Sequence, residues 1–85
     1  MTAKIKMYGT AWCGDCRRAK QIFQSEGVEY EWIDLAEHPD AAATVEKINH
    51  GSRSVPTIIF PDGSRLTEPD TLTLGKKLDS LKQTA

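Results

Sequence analysis

Hydrophobic and polar side chains alternate near the start of the chain. Ile5 and Met7 fall on one side, Lys4 and Lys6 on the other, and Tyr8 leads into Gly9 and Thr10. A period of two predicts a short strand from Ala3 to Tyr8 that enters a loop. The period then changes. Cys16, Ala19, Ile22 and Phe23 recur at helical spacing, while Arg17, Arg18, Lys20, Gln21 and Gln24 fill the other face. This predicts an amphipathic helix from Cys13 to about Glu26, closed by Gly27. Val28 to Leu35, VEYEWIDL, is rich in β-branched and aromatic residues and reads as a second strand. Val28, Tyr30 and Trp32 share one face, with Ile33 and Leu35 on the other, as in a strand covered on both sides. HPDAAATVEKINHG predicts a second helix, with Pro39 in its first turn, Ala42, Val45 and Ile48 buried, and Gly51 as terminator.

The remaining third of the chain predicts a hairpin and a helix. Thr57 to Phe60 and Ser64 to Thr67 are the strands, and PDGS is the turn between them. Thr67, Pro69 and Asp70 resemble a capping box with proline in the first turn. Leu74, Leu78 and Leu81 form the apolar stripe of the last helix, which Gly75 weakens by roughly 1 kcal/mol relative to alanine. The order is β-α-β-α-β-β-α. A strand–helix–strand unit needs a right-handed crossover and parallel strands, whereas a hairpin is antiparallel. The expected fold class is therefore α/β, with a four-stranded mixed sheet and helices for both faces. The 85 residues form a single domain spanning 1–85, with no repeat or linker.

Charge narrows the function. Eleven basic and twelve acidic residues leave a net charge of -1, which disfavours a nucleic-acid-binding role. No apolar run approaches the roughly 20 residues that cross a bilayer. The opening MTAKIKMY lacks the apolar core of a signal peptide, so a cytoplasmic location is expected. In that compartment disulfides are usually transient and catalytic.

The chemistry concentrates in AWCGDCRRAK, which holds the two cysteines of the chain. A structural staple is disfavoured, because secreted scaffolds of this size normally carry four or more cysteines. A zinc site with His38 and His50 is disfavoured too. The histidines bracket a predicted helix that separates them by roughly 18 Å at 1.5 Å per residue. A Cys-x-x-Cys pair between a strand and a helix instead reads as a redox dithiol. Cys13 falls at the helix N-terminus, where unpaired N–H groups and the macrodipole favour a thiolate. Arg17, Arg18 and Lys20 add positive potential, and Asp15 opposes it. Cys16 points toward the core as the resolving thiol. Gly14 leaves the connecting backbone open to close approach.

YGTAWCGDCRRAK together with RSVPTIIFPDG resembles the glutaredoxin branch of the thioredoxin fold, over essentially the whole chain. NHGSRSVPTIIFPDGSRLTEP is most similar to the mycoredoxin subgroup, which acts on mixed disulfides of mycothiol. The resemblance implies an enzyme, a thiol–disulfide oxidoreductase with Cys13 as nucleophile. Its co-substrate would be a small thiol, mycothiol or glutathione, with no bound cofactor and no metal. Its partners would be protein mixed disulfides and a flavoprotein reductase, and a monomer is expected. Pro56 would be a cis-proline facing the cysteines, with Val55 offering its backbone to substrate or serving only as a core residue. Trp12 would flank the site or simply pack there. Arg53 would hold a carboxylate of the thiol or stand as a solvated loop charge. Thr67, Glu68 and Asp70 would meet the other end of the thiol.

Two features depart from the glutathione pattern. Glutaredoxins usually carry Gly-Gly where this chain has Thr67-Glu68, and often a lysine where it has Thr10. An acidic Glu68 beside an anionic peptide end disfavours glutathione. Mycothiol lacks such carboxylates in its sugar portion and is favoured. Two alternatives accompany this reading. One is a dithiol donor fed by a thioredoxin-reductase-like flavoenzyme, for example toward ribonucleotide reductase. The other is a scaffold for an iron–sulfur cluster.

Overall fold

Met7 is fully buried, and it anchors the sheet from both sides. In the computed structural model, which describes residues 4–83, β1 (Lys6–Gly9) is central. It pairs in parallel with β2 (Glu31–Asp34) and antiparallel with β3 (Thr57–Ile59), and β3 pairs antiparallel with β4 (Arg65–Thr67). The strand order is β2-β1-β3-β4, and the helices are α1 (Gly14–Glu26), α2 (Pro39–Ile48) and α3 (Thr71–Gln83). This is the mixed four-stranded sheet expected from the element order.

Directly paired residues share a face of a sheet. Met7 pairs with Trp32 and Ile58, and this face forms the main core with Ala19 and Phe23 of α1 and Leu74 and Leu78 of α3. Each fully buried side chain of this size contributes about 1.5–3 kcal/mol. Tyr30 packs against Phe23 with ring centroids 4.5 Å apart. Tyr8 pairs with Ile33 and Thr57 on the opposite face. There α2 buries Ala42 and Val45, and Asn49 at its end donates from Nδ2 to Thr57 Oγ1 at 2.9 Å. Ile48 is half-buried.

Several boundaries differ from the sequence pattern. Ala3 lies outside the described residues, and β1 starts at Lys6. Cys13 is the N-cap of α1, not its first helical residue. At the other end Gly27 takes φ 67°, the left-handed conformation, and Val28 N–H reaches back to Phe23 O at 3.0 Å. That return occupies Val28, so β2 begins only at Glu31 and pairs along one edge. Phe60 leaves β3 to make the turn, where its N–H donates to Ser64 O at 2.8 Å and its carbonyl accepts from Gly63.

The largest correction concerns the start of α3. Thr67 does not cap it. Thr67 ends β4 opposite Thr57, and its hydroxyl donates to Asn49 Oδ1 at 2.7 Å. Asp70 is the cap: its Oδ1 accepts Thr73 N–H at 2.7 Å, and its carbonyl accepts Leu74 N–H at 3.0 Å. Glu68, at φ 48°, turns the chain between strand and helix.

Candidate active site

β1 delivers the chain to the mouth of α1 through Thr10, whose carbonyl accepts Cys13 N–H at 3.3 Å. Cys13 then caps the helix with its side chain. Its Sγ accepts Cys16 N–H at 3.1 Å, taking the place that a serine or aspartate oxygen usually fills. A sulfur so placed faces the unpaired N–H groups and the positive end of the helix dipole. It is half-buried and lies 3.9 Å from Val55 O. The Val55–Pro56 peptide is cis, as expected, and Val55 precedes β3, outside the strand ladder.

Cys16 differs in its surroundings. It is 1% exposed, and burial pushes its thiol up to about 12, with the hydrogen bond to Cys13 adding to the effect. A backbone contact with Thr10, and after it the Lys20 charge, act in the opposite direction. Both cysteines are free thiols. Asp15 turns to the outer face of α1, where it accepts from Arg18 Nη1 at 2.7 Å. Its charge is thus partly met on the solvent side.

The other expected residues fall in three places. Trp12, 71% exposed, and Arg53 line one cleft of about 270 Å³ with Leu35, Ala36, Pro39 and Ala42. Arg53 Nε also donates to Glu46. Glu68 stands behind the cis peptide, its N–H donating to Pro56 O at 2.8 Å. A chain of contacts thus runs from Cys13 Sγ to Val55 O, across the cis peptide to Pro56, and from Pro56 O to the Glu68 N–H. Thr67 and Asp70 are engaged in structural hydrogen bonds, to Asn49 and Thr73 respectively.

Two residues that shape the site carry little sequence signal. Gly9 has no room for a side chain: a Cβ there would stand 2.5 Å from Cys16 Sγ and 2.8 Å from Trp32 Cη2. Asn49 bonds Val45 O, Thr57 Oγ1 and Thr67 Oγ1 through one carboxamide. A glycine ending a strand and a polar residue ending a helix are both ordinary in a sequence. Only packing reveals what they do.

Comparison with known proteins places this geometry. The glutaredoxin family model matches residues 5–65. A Mycobacterium tuberculosis protein carrying a glutaredoxin name is 38% identical over 78 residues, covering 92% of this chain and 93% of its own. Mycoredoxin 1 of Corynebacterium glutamicum is 32% identical over 79 residues, covering 93% and 98% respectively. Among solved structures, the NrdH-redoxin of Escherichia coli superposes with a TM-score of 0.73 at 22% identity, covering 87% of this chain and 93% of its own. At that identity the likeness speaks for the fold alone. With the family model spanning both cysteines and Pro56, the chain belongs to the glutaredoxin family, and it is a thiol–disulfide oxidoreductase on a thioredoxin-like fold.

Proposed function

We infer that this protein reduces mixed disulfides between proteins and a small thiol, with Cys13 attacking and Cys16 resolving. The observation that carries the reading is the inequality of the two sulfurs. Cys13 sits at the helix mouth with an N–H pointed at its sulfur, while Cys16 is buried and held as a thiol. A thiolate is the nucleophile in disulfide exchange. Cys13 Sγ attacks the small thiol's sulfur in the mixed disulfide, and the protein leaves as its thiol. A second small thiol then attacks the adduct and restores Cys13, leaving as the small-thiol disulfide, or Cys16 attacks Cys13 Sγ and expels the first, leaving a Cys13–Cys16 disulfide that two further small thiols reduce. A flavoprotein reductase would regenerate the small thiol.

Mycothiol is favoured over glutathione as that small thiol. Glu68 is an exposed acidic residue whose backbone N–H donates to Pro56 O, and Arg53 is drawn to Glu46. A thiol with anionic peptide ends meets repulsion at the first and competition at the second. The 32% identity to a protein named mycoredoxin 1 supports the same choice. The exposed Trp12 ring beside the 270 Å³ cleft suits a sugar face.

A kinetic panel tests this reading. A mixed-disulfide peptide is supplied with mycothiol, glutathione, bacillithiol or a thioredoxin-reductase system. Fastest turnover with mycothiol, retained in Cys16→Ser and abolished in Cys13→Ser, is expected. Turnover with the flavoenzyme system and its collapse in Cys16→Ser would transfer the protein to the dithiol-donor class.

A further inference from the structure

Behind the two sulfurs lies a contact that the disulfide chemistry above does not use. Lys20 is one turn after Cys16 on α1, at the i,i+4 spacing that puts both on one helix face. Its Nζ lies 3.6 Å from the centre of the Trp32 ring, a cation–π contact on a half-buried lysine. Trp32 belongs to β2, paired with Met7 on the core face. The tip of its indole ring closes on Gly9 at the point where Cys16 Sγ also arrives. One glycine, one thiol, one indole and one ammonium thus pack together behind the site.

We propose that Lys20, clamped by the Trp32 ring on the same helix face as Cys16, is a positioning residue that supplies the charge against which Cys16 becomes a thiolate in the resolving step. The proposal rests on the assignment of Cys16 as the resolving thiol. In that step the Cys16 thiol gives its proton to solvent, and its sulfur attacks Cys13 Sγ of the adduct. The Cys13–Cys16 bond forms, and the bond from Cys13 to the small thiol breaks. The departing sulfur carries the electron pair and takes up a proton, so no further oxidant is needed.

A buried thiol is a poor nucleophile until it ionises, and burial is what holds Cys16 up to about 12. The groups that act on it are few. From the N-cap comes Cys13, from α1 Lys20, from the β1–α1 loop the Thr10 backbone, and from β2 the neutral indole of Trp32. Cys13 opposes ionisation of Cys16. Once Cys13 is in the adduct it has no ionisable thiol, and that opposition is gone. Lys20 is then the cation left to favour the Cys16 thiolate. A free lysine on a helix surface would spread its charge over many rotamers, and the indole face restricts it.

The test uses the whole reduced protein and bis(2-hydroxyethyl) disulfide as probe. Acid quenching and mass spectrometry follow the mercaptoethanol adduct on Cys13 as it forms and then resolves. Lys20→Met keeps helix propensity and removes the charge. Adduct formation should slow far less than resolution, which should fall about fivefold near neutral pH, the scale of one partly screened charge contact. The pH profile of resolution should move to higher pH, since a larger share of the thiol stays protonated at each pH. Lys20→Arg should restore the profile. Trp32→Phe, with a weaker ring face, should lie between wild type and Lys20→Met. Resolution in Lys20→Met at the wild-type rate and with the wild-type profile would overturn the proposal. Failure of Cys16→Ser to trap the adduct would instead sink the assignment of the two cysteines.

Discussion

At Gly9 a hydrogen atom is all the packing admits. A methyl group there would meet Cys16 Sγ at 2.5 Å and the Trp32 ring at 2.8 Å, so neighbours on two elements must move. Gly9→Ala is expected to cost about 1–3 kcal/mol by overpacking, read as a lower urea midpoint with an unchanged slope. Glu68 presents the opposite case, a side chain where a glycine fits better. Its φ of 48° is a conformation that side chains disfavour. Glu68→Gly should therefore raise stability by at most about 1 kcal/mol, less what glycine loses in the unfolded chain. It should also increase turnover with glutathione mixed disulfides severalfold, because the acidic side chain of the residue bonded to Pro56 O is gone. No such increase would mean that Glu68 does not select the thiol. The difference in visibility between such residues is physical. Cys13 and Cys16 are legible because their type and spacing carry chemistry whatever surrounds them. Gly9 is not, because its role is defined by atoms from α1 and β2 that no local pattern contains.

The elements were legible by period and by punctuation, and their ends less so. The helical face of Cys16, Ala19 and Phe23 is buried as its spacing predicts, and Gly27 closes α1 as expected. At α3 the pattern Thr67-x-x-Asp70 suggests a cap one turn too early. The hydrogen-bond ladder with Thr57 holds Thr67 in β4, and Asp70 becomes the cap instead. Strand pairing, a long-range contact, overrode a local signal. This cap has a pH signature. The Thr73 backbone N–H, then the Thr73 hydroxyl, hydrogen-bond the ionised Asp70 and hold its carboxyl below the usual value. Lys77 and then Ser64 do the same for Asp62. A lowered folded value means that the stabilisation is complete above the unfolded carboxyl value and is lost as pH falls through the folded one. Thermal melts should therefore show a steeper acid decline below about pH 4 in the wild type than in Asp70→Asn. Asp70→Ala should melt lower than Asp70→Asn at neutral pH, since asparagine still caps the helix. Equal slopes for wild type and Asp70→Asn would remove Asp70 from the acid transition.

Across the whole molecule, a small core carries the stability. Domains of this length are stable by about 4–13 kcal/mol. Phe23 is fully buried between the sheet and α3, and Phe23→Ala should cost about 3–5 kcal/mol. A circular-dichroism urea titration should show a large loss of midpoint, and a shift below 1 kcal/mol would mean that the core had collapsed into the gap. The β-α-β-α-β-β-α order and the mixed sheet were legible because the crossover and hairpin rules leave few arrangements. The tie between the two sides of the site was not, because it passes through Asn49. That carboxamide joins the last turn of α2 to β3 and to β4. The α2 residues Pro39 and Ala42 form one wall of the cleft beside Trp12, and β3 follows directly from Pro56. For that wall to swing away from the cysteines, the amide must first release Thr57 and Thr67. If this cleft takes the small thiol as proposed, the thiol would dock into a recess held by that one amide, and outline and charge would discriminate among thiols rather than closure around the guest.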